Sequence, residues 1–491
     1  MARLADTLTE ANHSVTFFMP IFDETRKDQL GVKLTKDVII LNDPHQETFT
    51  IDNITETFWH INVNSNTGHH LFEPLRKQTV SACRNIFQSK ELIEKLAAKK
   101  FDVAIAEPVM SCGLALFRHL GIEKVVMSSS CPNYDNVLDA MGEPAETSYW
   151  PSIFSEASGD QMSFSERIEN YDMYHVMVKI YNAMQDDEIK MVRSIIGEDF
   201  PGWRQLIADA SLHFTNSIPY LDFPRASIQK TVDIGGITVD IEAIKPLSSK
   251  WDDILNKRPK NMFLSFGSLA KSCEMPMEFK KNLLEVFRSE PDVTFIWKYE
   301  SEDVEFGKGV ENVEFVKWAP QTSLLNDDRV NAFLGHGGLG STYETTFLGK
   351  PSIMVPIFFD QTRNSHMLRR LETSITLHKR DIGDFKKLKS AFHEILHNKK
   401  YAVNAAKVAQ VVRDQPLTPK QILVKYVEFV GKYGPFHHMT PYGLKMPWYQ
   451  RYSYDVYVFK FFMYLFPILI GSVVVKYIFG ILTIRIVKRK E

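Results

Sequence analysis

Between Trp318 and Gln361 the chain gathers a ring, an imidazole, adjacent glycines, hydroxyls and carboxylates at the ends of apolar runs: W-A-P-Q (Trp318–Gln321), L-G-H-G-G-L-G-S-T-Y-E (Leu334–Glu344) and P-I-F-F-D-Q (Pro356–Gln361). Val330–Leu334 and Pro351–Phe358 have the continuous apolar character of buried parallel strands, and the polar groups fall just after them. In a doubly wound sheet that edge is where ligands bind, so the pattern predicts a nucleotide site spread over successive βα loops. Phe266-Gly267-Ser268 closes an earlier strand: the glycine lets a backbone amide approach phosphate and the Ser268 hydroxyl can donate to it, although Gly-Ser after a strand is also an ordinary tight turn.

Each residue carries a plainer alternative. Ser341 and Glu344 have capping-box spacing, which would satisfy backbone amides and nothing more. The same helix start, facing Gly337-Gly338 with His336 as a further donor, suits a diphosphate, with Glu344 accepting from ribose. Trp318 is either core or a flat platform for a base. Asp360 is either an N-cap or, paired with Gln361, a chelator of vicinal sugar hydroxyls.

The elements that must position these groups form two alternating series. Strands are expected at Val15–Met19, Val38–Leu41, Val103–Ala106 and Lys124–Met127, with helices at Lys90–Lys99 and Cys112–Leu120. The polar, Pro-, Gly- and Ser-rich stretch Asn133–Asp172 reads as a substrate-side insertion rather than core. A second series begins at Asn261: strands Met262–Phe266, Val293–Lys298 and Val313–Val316, helix Met277–Ser289, and closing helices Phe385–His397 and Ala402–Arg413. Residues 1–236 and 261–440 thus form two α/β halves around a 237–260 linker, and two halves imply a ligand cleft.

The chain has 491 residues, 44% hydrophobic and 24% charged, and a formal net charge of −2, which gives no electrostatic reason to expect nucleic acid. Its four cysteines (Cys83, Cys112, Cys131, Cys273) form no CxxC pair and indicate neither a compartment nor a metal. Residues 456–484 are almost wholly apolar and exceed the roughly 20 residues needed to cross a bilayer, despite Lys460 and Lys476. Basic residues in 485–491 (Arg485, Lys488, Arg489, Lys490) predict a cytosolic tail after a single-pass anchor. No signal peptide precedes Ala2. Either the start has been removed or wrongly assigned, or the protein is tail-anchored with its bulk in the cytosol. Sequons at Asn12 and Asn53 suit a lumen but are close to chance in a chain this long.

The Trp318–Gln361 signature, with Ala2–Pro20, Phe101–Gly113, Met262–Ser268 and the anchor preceded by Trp448-Tyr449-Gln450, resembles the UDP-glycosyltransferases, closest to their membrane-bound animal branch, including nematode-like members. The resemblance implies a GT-B fold, two Rossmann-like domains facing a cleft, with a C-terminal transmembrane helix. It places Trp318 on uracil, Gln321 and Glu344 on ribose, Ser268, His336, Gly338 and Ser341 at the diphosphate, and Asp360 and Gln361 on the sugar. Where the family often has Asn, this chain has Gly340, so one sugar or phosphate contact lacks its side chain.

The family's reaction is inverting displacement: a histidine oriented by a carboxylate deprotonates an acceptor hydroxyl, which attacks the anomeric carbon as UDP leaves. Glu107 stands where the family usually has aspartate. The family's histidine falls upstream of Met1, and His60, His69, His70 and His119 do not match its position, so the resemblance implies donor binding with poor transfer, or a silent subunit partnering active relatives. The UDP-sugar is a co-substrate and no separate cofactor or metal is expected. The implied partners are a small lipophilic acceptor, the bilayer and related transferases in homo- or hetero-oligomers. Lys488-Arg489-Lys490-Glu491 resembles a dilysine-type endoplasmic-reticulum retrieval signal.

Overall fold

Short runs rich in Val, Ile, Phe and Ala become parallel strands with helices on both faces, as continuous apolar runs should. The computed structural model describes residues 1–21, 27–42, 58–60 and 68–487. Asn53 and Lys488–Glu491 lie outside them. In the first lobe β1 (Thr16–Pro20) pairs with β2 (Asp37–Leu41), while β3 (Ala104–Ala106), β4 (Val125–Ser128), β5 (Leu212–Thr215) and β6 (Thr231–Asp233) form a separate parallel sheet in that order. Residues of β1 and β3 line opposite sides of one apolar slot of about 1110 Å³, together with Leu4, Leu8, Leu116 and Leu120.

The second lobe is one six-stranded parallel sheet. Its strands are β7 (Lys260–Ser265), β8 (Val293–Lys298), β9 (Val313–Val316), β10 (Val330–Gly335), β11 (Ser352–Met354) and β12 (Ser374–Thr376), in the order β12-β11-β10-β7-β8-β9. Alternate residues go to opposite faces, as the strand period requires: Met262 and Leu264 join one core cluster, Phe263 the other. The chain starts this sheet in the middle at β7, goes out to β9, then returns to β10 on the other side. The order therefore reverses between β7 and β10, which opens a crevice beyond their carboxyl ends.

Three features depart from the sequence reading. Asn133–Asp172 is core as well as cleft: Val137, Met141, Ile153 and Phe154 are buried with the first-lobe helices. Its polarity misleads because Asn170 and Asp135 are themselves buried, Asn170 accepting from the Ser152 amide and Asp135 from the Ser152 hydroxyl. The linker contains a helix, Ser249–Leu255, whose Trp251, Ile254 and Leu255 enter the second-lobe core. Helix Pro419–Tyr433, following the second lobe in sequence, packs Leu423, Val427 and Val430 with Leu4, Leu8 and Phe214 of the first.

Cys83 and Cys112 form a disulfide joining helix Gly68–Gln88 to helix Cys112–His119. At the same helix start, buried Glu188 accepts from the amides of Ser111 (2.7 Å) and Cys112 (3.1 Å). Burial pushes the Glu188 carboxyl up to about 7, against those hydrogen bonds.

Thr440–Glu491 is a second unit. It contains helix Tyr454–Val487, of which Tyr454–Leu482 is long and apolar enough to cross a bilayer and has no buried side of its own. Trp448, Tyr449 and Tyr452 precede it, the residue types that favour a membrane–water interface.

Candidate active site

The crevice between β7 and β10 is lined by the two glycine-bearing loops. After β7, Gly267 has φ +85°, and a Cβ there would stand 2.6 Å from Cε1 of His336. After β10, a Cβ on Gly338 would meet Nε2 of His336 at 2.5 Å, and one on Gly337 would meet the Ser365 hydroxyl at 2.3 Å. The imidazole is therefore clamped between glycines that no other residue could replace without a shift. Its Nδ1 is buried without a hydrogen-bond partner. Desolvation of the ring, aided by nearby Lys298, lowers the His336 pKa to about 4, so the ring is neutral near pH 7 and offers one N–H. Ser268 is exposed at the rim.

Lys298, at the end of β8, donates to the Gly267 carbonyl at 2.6 Å and pairs with Glu300 at 3.2 Å. It brings a cation to the crevice that the sequence reading missed. The signal was present in a charge at the carboxyl end of an apolar strand, but only strand order shows that β8 lies beside β7.

Ser341 and Glu344 do not form the capping box that their spacing predicts. Helix Leu339–Phe347 begins two residues earlier, after Gly338, and no side chain caps it. The Ser341 hydroxyl instead accepts from Gln321 Nε2 at 2.9 Å. Glu344 accepts from the same Gln321 amide and from Thr322. The loop carrying Trp318 is thereby fixed to the helix beside the glycines. The Trp318 ring itself is 71% exposed, which leaves a face open to stacking.

Asp360 occupies the residue before helix Gln361–Arg370, but its side chain caps nothing. It accepts from Asn364 Nδ2 at 2.8 Å, and that amide also donates to the Gly337 carbonyl at 3.1 Å, tying the Asp360 loop to the His336 loop. Burial raises the Asp360 pKa, opposed by Asn364. Gln361 is buried and its Oε1 accepts from the amides of Ile357 (2.9 Å) and Phe358 (3.1 Å), so its carbonyl shapes the loop and only its Nε2 is left for a ligand.

Across from these, Glu107 ends β3. It accepts from the Ser130 amide with both oxygens, at 2.9 and 3.1 Å, and lies within hydrogen-bonding reach of Tyr134. Burial raises its pKa, and the cation that opposes this is the Met1 amino group. The Cys131 thiol has its pKa raised by burial and by the charges of Asp360 and Glu107. The structure thus gathers His336, Gly338, Gln321, Ser341, Glu344, Asp360 and Gln361 on one sheet edge, with Trp318 and Ser268 at its rim. Glu107 comes from the other lobe.

Known proteins resemble this chain in sequence and in fold. The family model described as "UDP-glucoronosyl and UDP-glucosyl transferase" matches residues 3–490. The chain is 26% identical over 454 residues to the putative UDP-glucuronosyltransferase ugt-50 of Caenorhabditis elegans, covering 89% of this chain and 84% of that one. It is 27% identical over 391 residues to UDP-glucuronosyltransferase 1A8 of Rattus norvegicus, covering 79% and 71%. Among solved structures it is similar in fold to Os79 from O. sativa, in complex with UDP (TM-score 0.59, 14% identity, 87% of this chain and 97% of that chain). It is similar also to UDP-glucose: anthocyanidin 3-O-glucosyltransferase in complex with UDP (TM-score 0.57, 16% identity, 88% and 95%). Two lobes of parallel sheet, a glycine-clamped imidazole at the strand-order switch and a match over nearly the whole length lead to one assignment: the fold is GT-B, and the chain belongs to the UDP-glycosyltransferase family.

Proposed function

We propose that the chain binds a UDP-sugar, glucose or glucuronate, in its second lobe and directs the hexosyl group to the hydroxyl of a small lipophilic acceptor, with inversion. The observation that carries this is the neutral imidazole of His336, held between Gly267 and Gly338 with its Nδ1 unpaired beside Lys298. A dry, preorganised donor with a nearby cation suits the charge that grows on a leaving diphosphate. Ser268 and Ser341 complete that pocket, Trp318 stacks on uracil, Gln321 and Glu344 hold ribose, and Asp360 and Gln361 hold the sugar.

In the transfer, the acceptor oxygen forms a bond to the anomeric carbon as the carbon–phosphate-oxygen bond breaks; UDP leaves with the electron pair and the acceptor proton passes to a base. Glu107 is the carboxylate that orients such a base. Among the described residues no histidine hydrogen-bonds it.

The test has two stages. Calorimetry with UDP should show binding that His336→Ala weakens. Free imidazole, added at tens of millimolar (about the scale for a weak, untethered base), should then raise transfer above the buffer rate. Absence of UDP binding would overturn the proposal. A second reading is a silent donor-binding subunit paired with active relatives; UDP binding without turnover, even with imidazole, would select it.

The Cys83–Cys112 disulfide favours an oxidising compartment, and exposed Asn12 is accessible to a glycan. With helix Tyr454–Val487, this supports a single-pass protein of the endoplasmic reticulum with a lumenal catalytic part. Deleting residues 456–491 should release it from membranes; continued sedimentation with them would count against a lone anchor.

A further inference from the structure

The amino-terminal edge of the second-lobe strands, opposite the crevice, carries another cluster of chemistry-bearing side chains. Lys260 opens β7 and Glu290 lies just before β8, and helix Phe385–His397 brings His393 and His397 to the same place. His393 Nδ1 lies 3.2 Å from Glu290 Oε1, and His397 Nε2 lies 3.0 Å from Oε2. Their ligand atoms all fall within 4.8 Å of one another, the one such group of His, Cys, Asp or Glu among the described residues.

The fold holds this arrangement ready. His393 and His397 are one helical turn apart on a single face, and their rings stack at 4.4 Å. Leu388, Phe392, Ile395 and Leu396 lock the same helix into the second-lobe core, with Phe392 at 6.1 Å from Phe287 of helix Met277–Arg288. Glu290 follows that second helix in a loop fixed by Asn312, whose Nδ2 donates to the carbonyls of Phe287 (2.8 Å), Glu290 (3.0 Å) and Val293 (3.1 Å). The Glu290 side chain is 10% exposed, and those of His393 and His397 are 64% and 40% exposed. A recessed carboxylate therefore lies beneath two open imidazoles.

Two imidazole nitrogens, one carboxylate and an open side form a ligand set that suits zinc. Bonds of about 2.0–2.1 Å put tetrahedral ligands about 3.3 Å apart, near both separations seen here. His393-Glu394-Ile395-Leu396-His397 also has H-E-x-x-H spacing. Hydrolysis by that motif needs its glutamate as a base, but Glu394 accepts from Asn398 Nδ2 at 2.7 Å, so the site is structural. Lys260 opposes an ion. Its Nζ donates to His397 Nδ1 at 3.1 Å, which puts the ring hydrogen on Nε2. Zinc needs that nitrogen bare, so His397 takes its other tautomer and Lys260 keeps the Leu396 carbonyl, 3.0 Å away.

We infer that Glu290, His393 and His397 bind one zinc ion, with water in the fourth position, and that the ion fastens helix Phe385–His397 to the loop after helix Met277–Arg288. The transfer itself calls for no metal. This one braces the lobe from the edge away from the crevice, so it is independent of the donor and acceptor assignments.

The experiment is calorimetric titration of zinc chloride into the full chain in detergent, first stripped with a chelator. One equivalent should bind with a Kd of about 10 μM or tighter, and saturation should raise the melting midpoint by about 2 °C or more. His393→Gln with His397→Gln should abolish both effects, and Glu290→Gln should weaken zinc at least about tenfold. Lys260→Met removes the competing ammonium and should tighten zinc about threefold, a gain that no loss of fold can imitate. His437→Gln with His438→Gln, at another exposed histidine pair, should leave zinc binding unchanged. UDP affinity should stay within about twofold throughout. A parent that binds no zinc reduces the trio to an ion-paired clasp and overturns the inference. Binding that survives loss of His393 and His397, or disappears with His437 and His438, overturns it equally.

Discussion

The two lobes use parallel sheet in opposite ways. In the second, a single six-stranded sheet reverses its strand order at β7 and β10, and nearly every polar group of the candidate site comes from within Trp318–Gln361. In the first, the strands fall into two sheets, and its candidate polar group, Glu107, is held by Ser130 from a separate loop. A ligand whose parts lie at constant distances, such as the proposed nucleotide, can be met by groups concentrated in adjacent loops, whereas a variable ligand suits side chains assembled from remote segments, where a single change alters shape without dismantling the scaffold.

If that contrast is right, changes in one lobe should leave the other's property intact. The largest effect should come from replacing both Cys83 and Cys112 with alanine, which removes a cross-link and should cost about 3 kcal/mol. A lower melting midpoint would show it, while UDP affinity well below that midpoint stays the same; a parallel loss of UDP binding would mean that the lobes do not fail separately. His336→Ala should weaken UDP about tenfold, a smaller effect confined to the second lobe. Unchanged affinity would reduce His336 to a packing residue. Trp318→Ala should weaken UDP by about 1 kcal/mol, severalfold, and leave inorganic pyrophosphate alone. Because the ring is 71% exposed, the melting midpoint should hold.

The smallest effect is a slope. Glu188 has its pKa raised to about 7 in the folded chain, against 4.5 for a free glutamate side chain. The folded state therefore keeps a proton that the unfolded chain releases, so this group's contribution is greatest below pH 4.5 and is lost as pH rises through about 7. Glu188→Gln should flatten the pH dependence of unfolding over that window, measured by denaturant titration, and leave UDP affinity untouched. An unaltered slope would assign it to other groups.

The second lobe was legible in the sequence for the same reason that its site is compact. Val293–Lys298 and Val313–Val316 are strands with the expected bounds and the glycine loops follow strands, but the strand expected at Pro351–Phe358 is only Ser352–Met354, leaving Val355–Phe359 as loop before Asp360. What could not be read depends on pairing across distance. Lys298 belongs to the crevice only because β8 lies beside β7, and Ser341 abandons its cap only because Gln321 arrives from another loop. The first lobe hid more. Buried polar residues disguised the Asn133–Asp172 core, Cys83 and Cys112 are 29 residues apart, and the aromatic contacts of Phe72, Phe154 and Tyr181 have no sequence period at all.

Helix Pro419–Tyr433 has a practical outcome for protein engineering. Its Lys420 reaches Glu10 (3.3 Å) and Asp240 (3.0 Å), Glu428 meets His13 at 3.2 Å, and its apolar side closes over the opening helix. A chimaera that exchanged everything after the linker would give the recipient a foreign clasp for its own amino-terminal half. Donor and acceptor preferences can be recombined cleanly only if the crossover is double, with residues 419–436 travelling alongside the half they fasten.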